Sequence, residues 1–153
     1  MNGFLIAVLG GLHIAFRLKK IIRVIPLIQF VRIPMAPSFL IGLINLEGDT
    51  IPVINLYQKF GFDLPEFNAL QRLVIIKVKE TQFAILVEEA EDLVEASEKQ
   101  IINPDNVFKG LGNLLENVIQ INDKTIPVFE LSRLINELEY GLVKELLEKT
   151  ISE

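Results

Sequence analysis

The chain has 153 residues, half of them hydrophobic and 23% charged, with ten Phe, no Trp and no Cys. That composition supports a dense core and excludes disorder, while the missing cysteines exclude disulfides, thiolate nucleophiles and thiolate metal sites. A net charge of −5 argues against a nucleic-acid binder, which needs a clustered basic surface to displace phosphate counterions, and points to proteins as partners.

The first apolar run, Phe4 to Phe16, is broken by Gly10, Gly11 and His13 and falls short of the roughly 20 residues that span a bilayer. Arg17, Lys19 and Lys20 follow it, whereas a signal peptide carries its positive charge first, so a cytoplasmic protein without membrane insertion is expected. Within the run, Phe4 to Leu9 and Leu12 to Phe16 predict two strands turned by the Gly10-Gly11 pair. Leu18, Ile21, Ile22 and Ile25 recur at helical spacing before Pro26, which predicts a short helix or helical turn exposing Lys19, Lys20 and Arg23.

Pro26 to Ile33 reads as a strand leading into Pro34-Met35-Ala36-Pro37, after which Ser38 caps one turn through Leu40. Strands Leu43 to Leu46 and Thr50 to Leu56 follow, joined by Glu47-Gly48-Asp49 with Gly48 in the left-handed conformation. Asp63, Pro65, Glu66 and Asn68 interrupt the pattern at a seam from Phe62 to Leu70. Beyond it, Leu73 to Val78 and Gln82 to Val87 predict two more strands turned at Lys79-Glu80-Thr81, and a helical or extended stretch runs to Ser97. Glu88, Glu89, Glu91, Asp92, Glu95 and Glu98 make this stretch acidic, where the equivalent part of the first half is basic. Such a run is either a solvated face or a surface that selects a partner by charge. Leu131, Leu134, Ile135, Leu138, Leu142 and Leu146 recur at helical spacing, and Glu145 precedes Lys149 by four residues, predicting a terminal helix from about 132 to 149 with Gly141 as a possible interruption.

One internal similarity organises these elements. Leu43 to Phe60 and Val118 to Ile135 align without a gap 75 residues apart, with six of eighteen positions identical and Thr-Ile-Pro-Val complete in both. Such a repeat predicts two similar halves of roughly 65 to 70 residues, each about the size of a minimal barrel and too small to be stable alone. Asn122-Asp123-Lys124 then turns the second hairpin as Glu47-Gly48-Asp49 turns the first. Pro52 and Pro127 cannot donate a ladder hydrogen bond, so each belongs at an edge or bulge of the kind that curves a small barrel.

Catalytic readings find little support. His13, the one histidine, lies in an apolar strand, and one histidine without cysteine makes no convincing transition-metal site. Gly10-Gly11 and Gly110-Leu111-Gly112 lack the strand-to-helix context and third glycine of a dinucleotide loop and read as turns, and the acidic cluster lacks the ordered spacing of a calcium loop.

The stretch from Ile33 to Leu56, IPMAPSFLIGLINLEGDTIPVINL, resembles the signature of the CheW-like coupling domain of bacterial chemotaxis, and the likeness extends over nearly the whole chain. The resemblance implies a mainly β fold: two SH3-like five-stranded barrel subdomains packed together, with short helices and a C-terminal helix. It divides a single CheW-like domain, 1–153, into subdomains of about 1–66 and 67–135, between which strands can exchange, and a helix at 132–149. It implies a non-enzymatic adaptor, without cofactor or metal, that couples transmembrane chemoreceptors to the histidine kinase CheA and is recruited from the cytoplasm to receptor arrays. In that family the coupling domain meets the kinase's regulatory domain through barrel ends and receives the receptor's cytoplasmic tip near the barrel junction.

By the same resemblance, the receptor side comprises Arg23, Ile33, Gly42, Asn45, Glu47 and Gly48. Two of these depart from the family: Glu47 stands where arginine is usual, and Arg23 where glutamate is frequent, so a reversed ion pair between them is expected. Asn55 replaces the usual aspartate and keeps an oxygen acceptor. Two other readings are an adaptor of a different receptor-kinase pathway, such as surface motility, and a small-barrel nucleic-acid binder, the latter opposed by the acidic balance.

Overall fold

The structure, a computed structural model, describes residues 2–104 and 112–152. Gly110 and Leu111, read above as part of a turn, lie outside the described residues.

Hairpin β1 (Asn2–Leu9) and β2 (Leu12–Arg17) turns through Gly10 at φ 62° and Gly11 at φ 76°, both left-handed values that glycine adopts without strain. The expected short helix or helical turn over Leu18 to Ile25 is realised only as a single 3-10 turn, Leu18–Lys20, and the remainder is β3 (Ile21–Pro26). The i, i+3, i+4 pattern here is made mostly of isoleucine, which packs as readily on a pleated surface, and tertiary pairing decides the outcome. Of the predicted strand from Pro26 to Ile33, Pro26 closes β3, Leu27 N–H extends the pairing of β3 by one bond in the same register to the Gln71 carbonyl, and beyond it only one bridge forms, between Val31 and Leu43.

Next come β4 (Leu40–Leu46) and β5 (Asp49–Ile54), the latter shorter than expected because Asn55 Oδ1 accepts the Gln58 N–H at 3.1 Å and starts α1 (Leu56–Lys59). The position uses the acceptor that asparagine shares with aspartate. After a linker come β6 (Arg72–Val78), β7 (Thr81–Val87), β8 (Glu89–Ala96) and the two-residue β9 (Ile101–Ile102). β10 (Leu115–Ile121) and β11 (Lys124–Phe129) repeat the β4–β5 hairpin. α2 (Glu137–Ser152) begins later than predicted, and Gly141 does not interrupt it.

The strands form two sheets, β8-β1-β2-β11-β10-β9 and β3-β6-β7-β5-β4, in the mainly β architecture expected; one has the five strands expected of each subdomain, and the other has six, extended by β9. Both sheets draw strands from each side of the linker. The first joins β1–β2 to β10–β11 through the parallel pairs Val128↔Ala15 and Phe129↔Phe16. The second joins β6–β7 to β4–β5 through Val53↔Ala84 and Ile54↔Ile85. Pro52 and Pro127 each sit one residue before this parallel pairing starts, where the missing N–H leaves no ladder bond unmade.

One hydrophobic core joins the sheets, containing Ile14 and Phe16 of one, Ile44, Ile75 and Phe83 of the other, and Tyr57, Leu134 and Val143. A smaller cluster of Phe4, Ile6, Ala15, Ile119, Ile126 and Val128 lines the other side of the six-stranded sheet. Val53 and Ile85, whose place the sequence pattern leaves open, are both buried. Fully burying a side chain the size of Phe16 stabilises by about 1.5–3 kcal/mol, so the shared core binds each sheet to the other.

Candidate functional site at the open ends of the five-stranded sheet

β3 and β4 are the terminal strands of the five-stranded sheet and are not hydrogen-bonded to each other. One side-chain contact ties β3 to the end of β4: Arg23 Nη2 lies 2.9 Å from Glu47 Oε2, and Nη1 lies 3.4 Å from Oε1. This fork geometry fixes orientation better than a single bond does. The side chains are 44% and 71% exposed, so water and salt screen the attraction and positioning is its main effect. The hydrogen bond and charge of Arg23 hold the Glu47 carboxyl below the usual carboxylate range, and Glu47 in turn raises Arg23. Arg23 thus reaches the hairpin from a strand, since the helical turn ends at Lys20.

The turn itself is tighter than the sequence implies. Glu47 at φ 53° and Gly48 at φ 91° are both left-handed, as a two-residue hairpin turn of the mirror-image type requires. Asn45 Oδ1 accepts the Gly48 N–H at 3.2 Å. Arg23, Asn45, Glu47 and Gly48 therefore gather at one exposed corner. Gly42 is buried in mid-strand, where a Cβ would stand 2.5 Å from the Val31 carbonyl oxygen and 2.8 Å from the Phe30 ring. Ile33 lies in the loop that precedes β4, half-buried, its carbonyl accepting the Ala36 N–H at 3.2 Å. Around Arg23 the β3 edge exposes Ile22 and Val24, an apolar rim hidden by the helical reading of this segment.

Two other clusters revise the charge map. Glu88, expected in the exposed acidic run, is half-buried and accepts hydrogen bonds from Gly10 N–H, Gly11 N–H and the Tyr57 hydroxyl, joining the bend between β7 and β8 to the first hairpin and α1. Its charge, after burial itself, drives the Tyr57 phenol well above the ordinary tyrosine range. Lys20, expected on the surface, contacts Glu116 at 3.4 Å and Glu130 at 3.0 Å, beside an Arg17–Glu116 pair at 2.7 Å. Burial opposes ionisation of Glu130, but hydrogen bonds from Lys20 and Ser132 together outweigh it and lower its pKa. The remainder of β8 is extended and acidic, and His13 lies on β2 with Nε2 at 2.9 Å from Glu91.

A cleft opens where β2 and β11 splay apart before their short parallel contact. It holds about 480 Å³ and is lined by the apolar Leu9, Leu12, Ile14, Phe60, Phe62 and Phe129, with His13 and Lys124 among its few polar residues. Its walls come from segments far apart in sequence, so no local pattern announces it.

Two small sheets fused around one core, with charged and aliphatic groups displayed on open sheet edges, define a scaffold of the docking kind. A family model for the CheW-like domain matches residues 3–139, and the chain belongs to that family. It is similar to the chemotaxis protein CheW of Treponema pallidum, 26% identical over 127 residues that cover 79% of this chain and 72% of the relative. It is also similar to the chemotaxis protein CheW of Thermotoga maritima, 24% identical over 125 residues that cover 82% of each. Among solved structures, the scaffolding protein TtCheW from Thermoanaerobacter tengcongensis superposes with a TM-score of 0.81 over 90% of each chain at 22% identity, a match of fold. No helix among the described residues is long and apolar enough to cross a membrane.

Proposed function

We propose that this chain is a non-enzymatic adaptor of bacterial chemotaxis that couples chemoreceptors to the regulatory domain of a CheA-type histidine kinase. The family match over residues 3–139 carries the reading. A scaffold of this kind acts by differential contact: it holds receptor and kinase in a geometry in which a small receptor movement shifts the kinase between active and inactive states.

On this reading the receptor tip meets the corner of Arg23, Asn45, Glu47 and Gly48, while Gly42 and Ile33 shape the strand and loop behind it. The reversed pair supports a cognate receptor whose contacting charges are reversed too, in chemotaxis or in a sister receptor-kinase pathway such as surface motility. The protein is cytoplasmic on this reading and reaches the membrane only through the receptor.

Isothermal titration with the cognate kinase regulatory domain, then with a receptor tip fragment, tests both parts. Binding to both is expected, with Arg23→Glu or Glu47→Arg alone weakening the receptor step about 10-fold and the double reversal, which keeps the ion pair but inverts the charges the receptor meets, failing to restore it. Binding to neither partner refutes the adaptor reading.

A further inference from the structure

The open cleft between β2 and β11 has a filled counterpart on the other sheet. Hairpins β1–β2 and β6–β7 close on Leu9↔Leu12 and Val78↔Thr81, so Leu12 corresponds to Thr81 and Ile14 to Phe83. Leu12 and Ile14 line the cleft. Their counterparts are covered by α2: Tyr140 Oη lies 3.1 Å from Thr81 Oγ1, and its ring centroid lies 6.3 Å from that of Phe83. The helix stands where the chain leaves the second repeat. At the same point in the first repeat the chain turns at Gly61, lays the Phe62 ring against Gly10 and runs on without a helix. One hairpin thus carries a helix on the face that its twin leaves as an open cleft of about 480 Å³.

The same chain displays a helix face that no other described residue covers. Leu138, Gly141, Leu142 and Glu145 follow i, i+3, i+4, i+7 spacing on α2, and all four are exposed, Leu138 at 74%. Gly141 costs the helix about 1 kcal/mol relative to alanine, yet a Cβ there would meet nothing within 4 Å among the described residues. A glycine flanked by two leucines on an outer helix face suits the close approach of another surface. The charges match as well: Lys124 at the cleft and Glu145 on the helix both lack an ion-pair partner among the described residues.

We propose that the outer face of α2 from a second copy of this chain seats in the β2–β11 cleft, with Leu138 and Leu142 entering between Leu12, Phe62 and Phe129 and Glu145 meeting Lys124. The two surfaces differ, so the contact is heterologous unless a two-fold axis lets both copies exchange helices. This inference stands apart from the chemotaxis reading and uses neither Arg23 nor Glu47.

Sedimentation velocity of the full chain between about 1 μM and 1 mM tests it, a range in which weak protein contacts become visible. The mass is expected to rise with concentration, and Leu138→Glu or Leu142→Glu to hold the protein monomeric with its thermal midpoint unchanged, since both side chains are exposed. Lys124→Glu should weaken association about 10-fold, and adding Glu145→Lys should restore it to within about 3-fold. The chain has no cysteine, so mixing the single variants Leu12→Cys and Leu142→Cys should yield a disulfide-linked pair. A chain monomeric at about 1 mM overturns the proposal, as does association indifferent to the leucine variants or unresponsive to both charge reversals.

Discussion

β3 and β8 are the same strand built twice, and they differ in nearly every exposed side chain. Each terminates its sheet, and each carries a register irregularity at the same place, opposite Ile75–Ile76 in one case and Ile6–Ala7 in the other. Counted from the hairpin ends, Arg23 corresponds to Asp92 and Val24 to Leu93, and the bulged residues are Ile22 and Glu91. Backbone pairing has held the two strands to one geometry while their outward charges have become opposite. What the repeat shares is therefore the support, and what it does not share is where binding specificity resides.

The sharpest break in that symmetry is Gly42, whose counterpart in the second hairpin is Asn117. Both follow the same register irregularity, Leu40/Gly42 in one hairpin and Leu115/Asn117 in the other. The Val31 carbonyl presses on the glycine, whereas the asparagine has room to accept a hydrogen bond from Arg17 at 3.4 Å. Gly42→Ala is expected to cost about 3 kcal/mol by overpacking against backbone that cannot retreat. Asn117→Ala should cost only about 1 kcal/mol, the worth of an ordinary hydrogen bond. Urea unfolding of both variants checks this, and equal losses would mean that the two hairpins bear the same load.

The second difference is the helix that follows only one repeat. Lys59 Nζ on α1 contacts Glu139 Oε1 on α2 at 2.5 Å, with side chains 16% and 14% exposed, and Glu139 Oε1 also accepts the Asn136 N–H at 3.0 Å. Glu139→Ala leaves a mostly buried ammonium unpaired, at a cost of about 2 kcal/mol given its residual access to water. Hydrogen exchange should then speed along α2 before it speeds in β6 or β7. Uniform acceleration would show that the helix unfolds only with the sheets.

These differences also mark what could be read from the residues. Hairpins bounded by Gly10-Gly11 or Glu47-Gly48 were legible because alternation and turn chemistry are local. Ile21 to Ile25 was misread because its pairing partner, β6, lies beyond two further strands and a linker, and an isoleucine-rich pattern satisfies both periods. The terminal stripe was right for Leu131, Leu134, Ile135 and Leu146, which pack inward, and wrong for Leu138 and Leu142, which face solvent while Tyr140 and Val143 turn inward. At the candidate site, Arg23 with Glu47 was inferable from two departures in one motif. The cleft was not, since Leu12, Phe62 and Phe129 meet only after the halves interleave.

The paired turns offer a smaller test. Asn122 and Asp123 adopt φ 50° and 64° with side chains suited to left-handed backbone, whereas Glu47 at 53° is not such a residue. Glu47→Asn relieves the backbone and removes the Arg23 contact, so its thermal midpoint should move by less than about 2 °C. A fall of more than about 5 °C would make the ion pair the tie between β3 and the β4–β5 hairpin, which its exposure argues against.

The smallest effect separates the two tyrosines, one beside each repeat. Burial first, then the charge and hydrogen bond of Glu88, raise Tyr57 far above a free phenol. At Tyr140 the Thr81 hydrogen bond, aided by the charges of Lys144 and Lys79, outweighs burial and lowers the pKa. Absorbance titration near 295 nm should therefore show one phenolate forming below about pH 10 and abolished by Tyr140→Phe, and a second forming only as the protein unfolds. The signs are opposite. The raised Tyr57 contributes stability that is present below the unfolded-state value and lost as pH rises past it, whereas the lowered Tyr140 contributes stability that appears as pH rises through its own folded value. Tyr140→Phe should accordingly cost more stability at pH 10 than at pH 7, where only the Thr81 hydrogen bond is lost. Two phenols titrating together would mean that the Glu88 cluster and the α2 contact impose the same environment, and that the asymmetry between the repeats stops at their surfaces.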